Sequence, residues 1–289
     1  MQIILNGIIV GGIYALLAIG FNLIYSTVRF FHLAYGVVAL LGAYLTWVFN
    51  SGFGFGFLFS AVLATAVTGL IGLLTWVLLY KPLRERGSSD LVMMVASFGL
   101  FLILQNGVAL IFSNNIKSLS VSDTIEPGYN FWGLIITSNQ TLILATCALV
   151  LIILNLVLHK TRAGLMIRAI GENKDLAETS GVPVNYVIYL VFLIGTALSS
   201  LAGILTALEI GMRPTYGLAF ILKAIVASVI GGIGSVSGAL LGALILGIAE
   251  NIGIFYFGSS WQEAVAFGLL TIFLLFRPQG LIAAQKRLS

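Results

Sequence analysis

Two ionisable residues, Lys223 and Glu250, lie within apolar stretches of this 289-residue chain. Charged groups that sit among apolar residues in a membrane are costly, so they pair with each other or serve a function. Lys223 lies about four residues inside the start of one apolar run, and Glu250 lies about five residues before the end of the next. On antiparallel neighbouring helices their depths match, which predicts an ion pair. A direct contact with a substrate is the alternative.

Uncharged polar side chains recur on two other apolar runs. They are Tyr14, Asn22 and Tyr25 on the first run, and Ser97, Gln105 and Asn106 on the fourth. Their helical spacing places them along one side of each helix. Such groups can line a pathway for a polar solute or hydrogen-bond to neighbouring helices, and the spacing leaves both interpretations open.

The sequence carries no constellation of catalytic residues. HExxH, GxSxG and metal-spaced Cys/His clusters do not occur, and the chain has one cysteine and two histidines. The stretch GGIGSVSG at 231–238 lacks the Lys and Ser/Thr of a nucleotide-binding loop, and the dipeptide GK occurs nowhere. We therefore expect no catalytic residue, no metal ligand and no cofactor on this chain. No series of Asp, Glu or His residues threads the apolar runs, so a proton relay is not supported.

The composition indicates what must position these residues. The chain is 60% hydrophobic and 8% charged, with a mean hydropathy of +1.10. Soluble domains are about half apolar and about a quarter charged. An all-α, polytopic membrane helical bundle is predicted, organised as a single transmembrane domain over 1–289. The net charge of +4 follows from membrane topology and does not indicate a nucleic-acid partner.

Nine apolar runs are candidates to cross the membrane, because a bilayer core needs about 20 apolar residues per helix. The runs are roughly 3–25, 31–50, 57–80, 91–112, 140–158, 187–208, 219–230, 239–255 and 262–276. The seventh is short enough to be a half-helix. Eight or nine transmembrane helices are therefore predicted, one of them short or half-spanning.

Basic residues predict the orientation. The loops 26–30, 81–90 and 159–186 and the C-terminal tail carry eleven of the 14 lysines and arginines, which identifies their side as cytoplasmic. The N-terminus is then outside and the C-terminus cytoplasmic, which favours nine crossings. The polar stretch 113–139 becomes an external loop, either a connector or a docking surface for an extracytoplasmic partner.

The cytoplasmic loop 159–186 is charged, with four basic and three acidic residues. Asn173 is a good N-cap, and Gly181 followed by Pro183 is a helix stop, so a short helix is predicted over about 174–180. A helix of this length is not stable alone, so something must pack on it. The expected coupling residues are Asn173, Leu176, Ala177, Glu178, Ser180 and Gly181. We expect Leu176, Ala177 and Ser180 to face a partner chain; a solvated helix that braces its own spans is the alternative.

Four segments together resemble the permease subunits of high-affinity branched-chain amino-acid ABC importers. The resemblance runs over nearly the whole chain. The most specific segments are LKAIVASVIGGIGSVSGALLGALILGIAENIG and VAFGLLTIFLLFRPQGL, supported by NGIIVGGIYALLAIGFNLIYSTVRFFHLAYG and by the charged insert RAIGENKDLAETSGVPV. That insert matches the loop that lodges in a groove of the ATPase subunit in this family.

The resemblance implies a bacterial inner-membrane importer that works with partners. These are two ATP-binding cassette subunits, which hold ATP and Mg; a second related permease or a second copy of this chain; an extracytoplasmic solute-binding protein; and membrane lipid. The family usually reads NFAHGE where this chain reads HLAYGV from His32 to Val37, which leaves the solute open. The same type of importer for urea or short amides is an alternative. A stand-alone secondary transporter or channel, or a purely structural membrane subunit, are alternatives of other classes.

Overall fold

The computed structural model describes residues 1–121, 128–131 and 134–282. Part of the predicted external loop, residues 122–127 and 132–133, therefore lies outside the described residues. The tail 283–289, with its two basic residues, does so as well.

The described chain is almost entirely helical. Its α-helices are α1 Gln2–Val28, α2 Tyr35–Trp47, α3 Phe57–Thr75, α4 Lys81–Glu85, α5 Asp90–Phe112, α6 Ser138–Lys160, α7 Arg162–Glu172, α8 Lys174–Thr179, α9 Val184–Ile210, α10 Tyr216–Gly231, α11 Val236–Phe257 and α12 Gln262–Phe276. Single π-helical turns extend α2 over Val48–Gly52 and join α3 to α4 over Trp76–Tyr80, and a 3₁₀ turn, Ser259–Trp261, precedes α12. A short antiparallel hairpin pairs β1, Tyr129–Phe131, with β2, Leu134–Ile136.

Within the described residues, seven helical segments are long and apolar enough to cross a membrane. They are Gln2–Val28, Phe57–Glu85, Asp90–Phe112, Ser138–Lys160, Val184–Ile210, Val236–Phe257 and Ser259–Phe276. The prediction of a polytopic helical bundle is confirmed. The remaining two predicted runs form the shorter helices α2 and α10, which fall below the length or hydropathy of the seven.

Both short helices follow a 27-residue helix, and both begin with the same local structure. After α1, Tyr35 N–H donates to the carbonyl of His32 at 3.1 Å; after α9, Tyr216 N–H donates to the carbonyl of Arg213 at 3.1 Å. Each turn is followed by a Tyr-Gly pair that opens the short helix. The chain therefore contains two copies of a long helix, a break and a short helix.

The chain divides into two compact units. The first comprises 1–22, 120–153 and 222–289. In it, α1 packs closely on α11: a Cβ placed on Gly7 would lie 2.7 Å from Ile248 Cα, and one on Gly11 would lie 3.0 Å from Leu244 Cα. Small residues four apart allow this approach of two backbones.

The second unit comprises 23–119 and 154–221, and its centre is the packing of α2 and α3 on α9. A Cβ on Gly203 would lie 2.0 Å from the carbonyl oxygen of Ala39, and one on Gly36 would lie 2.0 Å from that of Gly217. The starts of α2 and α10 therefore meet at two glycines. Large aromatic side chains, among them Trp76 and Tyr80, are fully buried in the same unit.

The described part of the external stretch is anchored at both of its ends. In the first unit, the Gln2 side chain donates to the carbonyl of Ile135 at 3.0 Å and accepts from its N–H at 3.1 Å. In the second unit, Lys117 and Met212 form an antiparallel bridge, and the Lys117 ammonium lies 3.7 Å from the centroid of the Trp47 ring. These contacts fix where the stretch leaves the second unit and where it enters the first.

Candidate functional site

The first unit buries a charged network around the second half of α11. Lys223 on α10 and Glu250 on α11 form an ion pair; Lys223 is 6% exposed and Glu250 is fully buried. Tyr14 Oη and Gln262 Nε2 each donate to Glu250 Oε2 at 2.8 Å, and Gln262 Nε2 also lies 3.3 Å from Tyr14 Oη. Both carboxylate oxygens of Glu250 are therefore hydrogen-bonded, as a buried charge requires.

The sequence identified three of these four residues but missed Gln262. Its polar side chain opens α12 directly after the reverse turn that follows α11, so a helical hairpin returns it to the depth of Glu250. Tyr14 was predicted as part of a polar stripe that could line a pathway. The structure instead gives its hydroxyl a partner within the chain, which is the alternative that the spacing left open.

Asn22 on α1 holds the glycine-rich turn between α10 and α11. Its Oδ1 accepts from Gly234 N–H at 2.8 Å, and its Nδ2 donates to the carbonyl of Ser235 at 3.1 Å. Gly232 and Gly234 have φ values of +109° and +90°, which only glycine adopts without strain. The turn therefore depends on a side chain more than 200 positions away. The amide of Asn22 is engaged by backbone groups.

In the second unit, Ser97 on α5 belongs to a buried cluster around His32. His32 Nδ1 lies 2.8 Å from Tyr80 Oη and 3.2 Å from Ser97 Oγ, and Ser97 Oγ also accepts from Ala34 N–H at 3.2 Å. His32, Ser97 and Tyr80 are fully buried. The burial of His32 among residues 48 and 65 positions away has no local signal in the sequence.

The remaining predicted pathway residues differ in their surroundings. Gln105 Oε1 is buried and has no hydrogen-bond partner among the described residues. Asn106 is exposed and donates to the carbonyl of Leu102 in its own helix at 2.8 Å. Tyr25 is half-buried, with its ring 5.0 Å from that of Phe31. Of the six predicted residues, Gln105 has a buried polar atom without a partner in the described chain.

The charged loop folds as two consecutive helices, α7 and α8, in the second unit. Asn173 separates them: its Oδ1 accepts from Leu176 N–H at 3.1 Å, which caps the N-terminus of α8. Gly181, at φ +85°, closes α8 with a Schellman motif, in which Val182 N–H donates to the carbonyl of Ala177 and Gly181 N–H to that of Glu178, both at 3.0 Å. The cap and the stop fall where the sequence predicts them.

One detail of the predicted coupling surface needs correction. Ala177 is 5% exposed, because α8 packs against α7 and α9 and this small residue faces them. The expectation that Ala177 faces a partner chain is therefore wrong. Leu176 is 64% exposed, and Glu178 and Ser180 are exposed as well. Leu176, Glu178 and Ser180 therefore remain accessible, together with Asp175 and Thr179.

Seven long apolar helical segments and a buried ion pair, both within the described residues, indicate a multi-pass membrane protein. A family model described as "Branched-chain amino acid transport system / permease component" matches residues 3–274. The chain belongs to this permease family.

Relatives of about 30% identity match almost the whole chain. The high-affinity branched-chain amino acid transport system permease protein BraD of Pseudomonas aeruginosa is 34% identical, over 99% of this chain and 96% of BraD. The permease protein LivH of the corresponding Escherichia coli K12 system is 31% identical, with the same coverage. The solved structure of PsaBC from Streptococcus pneumoniae in complex with Fab has a TM-score of 0.56 at 14% identity, covering 96% of this chain and 93% of that chain, which shows the shared fold.

These findings establish the general class. The chain is a permease subunit of the inner membrane and not an enzyme. Family membership implies, in general terms, an ATPase and a solute-binding protein as partners.

Proposed function

We propose that this chain is the permease subunit of a binding-protein-dependent ABC importer that moves a small polar solute. Branched-chain or other amino acids are the solutes that we favour. The observation that carries the proposal is α8: a helix of six residues, capped at both ends, whose Leu176 and Glu178 are exposed to solvent together with Ser180, the residue that follows it. An exposed leucine on so short a helix fits a surface that a partner covers. The names of the relatives support the choice of solute.

In this proposal the energy comes from other chains. The sequence has no nucleotide-binding loop, so ATP and Mg bind to two partner ATPase subunits. Closure of the ATPase pair displaces α8, and the displacement passes through α7 and α9 to the spans. A second related permease, or a second copy of this chain, and an extracytoplasmic solute-binding protein complete the complex.

The proposed topology has nine crossings. It counts the seven long segments together with α2 and α10, and it places the N-terminus outside and the C-terminus in the cytoplasm. The basic α7 and the cap of α8 then lie on the cytoplasmic side, where the ATPases are. The anchored ends of the external stretch lie on the opposite side, where a solute-binding protein docks.

Gln105 is the proposed pathway residue. A buried amide oxygen without a partner is costly in an apolar environment, so it is retained where a solute or water can bind it. Tyr14 and Asn22, which the sequence grouped with it, are assigned to structure because Glu250 and the glycine turn already bind their polar groups.

The experiment is a reconstitution of the complete complex in proteoliposomes. The tagged chain is co-expressed with its partners, and the co-purifying subunits are counted. We expect uptake of labelled leucine only when ATP is supplied on the ATPase side and the binding protein on the other. Labelled urea and acetamide are tested in the same vesicles to distinguish the alternative solutes. Uptake by the purified chain alone, driven by an ion gradient, would contradict the proposal.

A further inference from the structure

Arg29 has an unusual backbone conformation at the end of α1. Its backbone N–H donates to the carbonyl of Tyr25 at 2.9 Å, and its φ is +64°. This left-handed conformation is the usual end of a helix, but glycine or asparagine normally fills it, because a larger side chain is strained there. An arginine in such a position persists when the surrounding structure holds it.

The side chain of Arg29 reaches the far end of the charged loop. Its Nη2 donates to the carbonyl of Gly171, the second-last residue of α7. That carbonyl is among the last four of the helix, which have no partner within the helix, and a positive charge there also favours the helix dipole. The backbones are close as well, since a Cβ on Gly171 would lie 3.6 Å from Ser26 Cβ.

Gly171 is joined to α8 by a short, well-bonded corner. Asn173 N–H donates to the carbonyl of Ala169 at 3.1 Å, and its side chain caps α8. Glu172 and Asn173 alone separate Gly171 from Lys174, the first residue of α8. A displacement of α8 therefore moves the Gly171 carbonyl as well, because the connection is only two residues long and is held by hydrogen bonds.

On its other side, Arg29 leads directly into the start of α2. Three residues later comes His32, whose carbonyl closes the turn that opens α2, and Ala34 N–H is held by Ser97 Oγ at 3.2 Å. Arg84 adds a second arginine at the same place, with Nη1 3.5 Å from the carbonyl of Val28. The break between α1 and α2 is therefore connected to α7 through the Arg29 guanidinium.

We propose that Arg29 is a positioning residue for transport: its hydrogen bond to the Gly171 carbonyl passes displacement of the α7–α8 corner to the start of α2. The inference rests on the proposed function of α8. It assigns the transfer of this displacement to one side chain. It also explains why a strained arginine occupies a position where glycine would end the helix without strain.

The test uses two substitutions at this position in the complete complex. Arg29→Gly removes the guanidinium and relieves the strained φ, so folding is not impaired. Arg29→Lys keeps the charge and the strain but replaces the planar guanidinium by a point charge. Arg168→Gln is the matched control, because it removes an exposed arginine from α7. ATP hydrolysis and solute uptake are measured in the same proteoliposomes.

We expect Arg29→Gly to hydrolyse ATP while transporting at least about fivefold less solute per ATP, the lower end of typical coupling between sites. Arg29→Lys should fall between it and wild type, and Arg168→Gln should match wild type. An unchanged ratio in Arg29→Gly overturns the inference. A parallel loss of hydrolysis and uptake overturns it too, because that result indicates a structural role.

Leu176→Asp, on the exposed face of α8, separates the two proposals. If Leu176→Asp lowers ATPase binding and uptake while Arg29→Gly leaves the ratio of solute to ATP unchanged, the function of α8 stands and the role of Arg29 falls. If uptake in wild-type vesicles does not depend on ATP at all, the proposed function itself fails.

Discussion

Lys223 and Glu250 form an ion pair closed off from solvent inside the first unit, and Tyr14 and Gln262 bind the free oxygen of the same carboxylate. Two charges of opposite sign thus occupy an apolar environment as a pair without net charge, and both oxygens of the carboxylate are hydrogen-bonded. Removing one member leaves the other charge buried without compensation, which costs about 3–5 kcal/mol, whereas replacing both is often tolerated.

The first prediction concerns this pair. Lys223→Met and Glu250→Gln should each lower the melting temperature and the folded yield of the detergent-purified chain, whereas the double variant should recover most of the loss. Size-exclusion profiles and thermal unfolding of the four proteins form a double-mutant cycle. Additive losses in the double variant would falsify the coupling of the two residues.

The second prediction concerns Asn22. Asn22→Ala should destabilise the chain by about 1–3 kcal/mol, because two part-buried hydrogen bonds, from Gly234 N–H and to the Ser235 carbonyl, are lost at about 0.5–1.5 kcal/mol each. Thermal unfolding measures this loss. Asn106→Ala is the control, since Asn106 is exposed and binds only its own helix, and it should unfold at the wild-type temperature. Equal melting temperatures for the two variants would show that Asn22 does not stabilise the glycine-rich turn.

The third prediction concerns the contact between the starts of α2 and α10. Gly36→Ala should destabilise by about 1–3 kcal/mol or more, because the added methyl would overlap the backbone of Gly217. Gly99→Ala in α5 meets nothing within 4 Å, so it should be neutral or slightly stabilising. Expression level and thermal unfolding of the pair of variants provide the measurement. A tolerated Gly36→Ala would mean that the two helix starts can separate.

The fourth prediction concerns the pathway. Gln105→Leu removes a buried amide oxygen without a partner in the described chain, so it should leave the melting temperature unchanged or higher. Uptake of labelled leucine by the complete complex should nevertheless fall about tenfold, corresponding to about 1.4 kcal/mol. Asn106→Leu, on the exposed side of the same helix, should transport normally. Normal uptake in Gln105→Leu would show that this amide does not contact the solute.

The fifth prediction concerns the exposed face of α8. Leu176→Asp should reduce binding of the partner ATPase and thereby uptake, because a charge replaces an exposed apolar side chain at the proposed contact. Ala177→Trp should instead disturb the packing of α8 on its own chain, since Ala177 is buried. Co-purification of the ATPase and thermal unfolding distinguish the effects. Full ATPase recovery with Leu176→Asp would leave α8 as a connector.

Local features of the fold follow from the sequence. The apolar runs predict the long helices, because helix length and hydropathy depend on neighbouring residues along the chain. The cap at Asn173 and the stop at Gly181 depend on contacts three to five residues apart, so α8 was predictable almost to its ends. The depths of Lys223 and Glu250 could be compared because one tight turn joins their helices.

Tertiary structure decided the features that depend on distant residues. The polar stripe on α1 predicts that Asn22 and Tyr14 face something polar, but not that a glycine turn and a buried carboxylate more than 200 positions away bind them. The inward face of Ala177 and the contact of Arg29 with Gly171 likewise depend on how whole helices pack. Packing depends on the shapes and hydrogen-bond partners of residues from distant parts of the chain. The spacing of residues along one helix does not predict which distant residues will contact it.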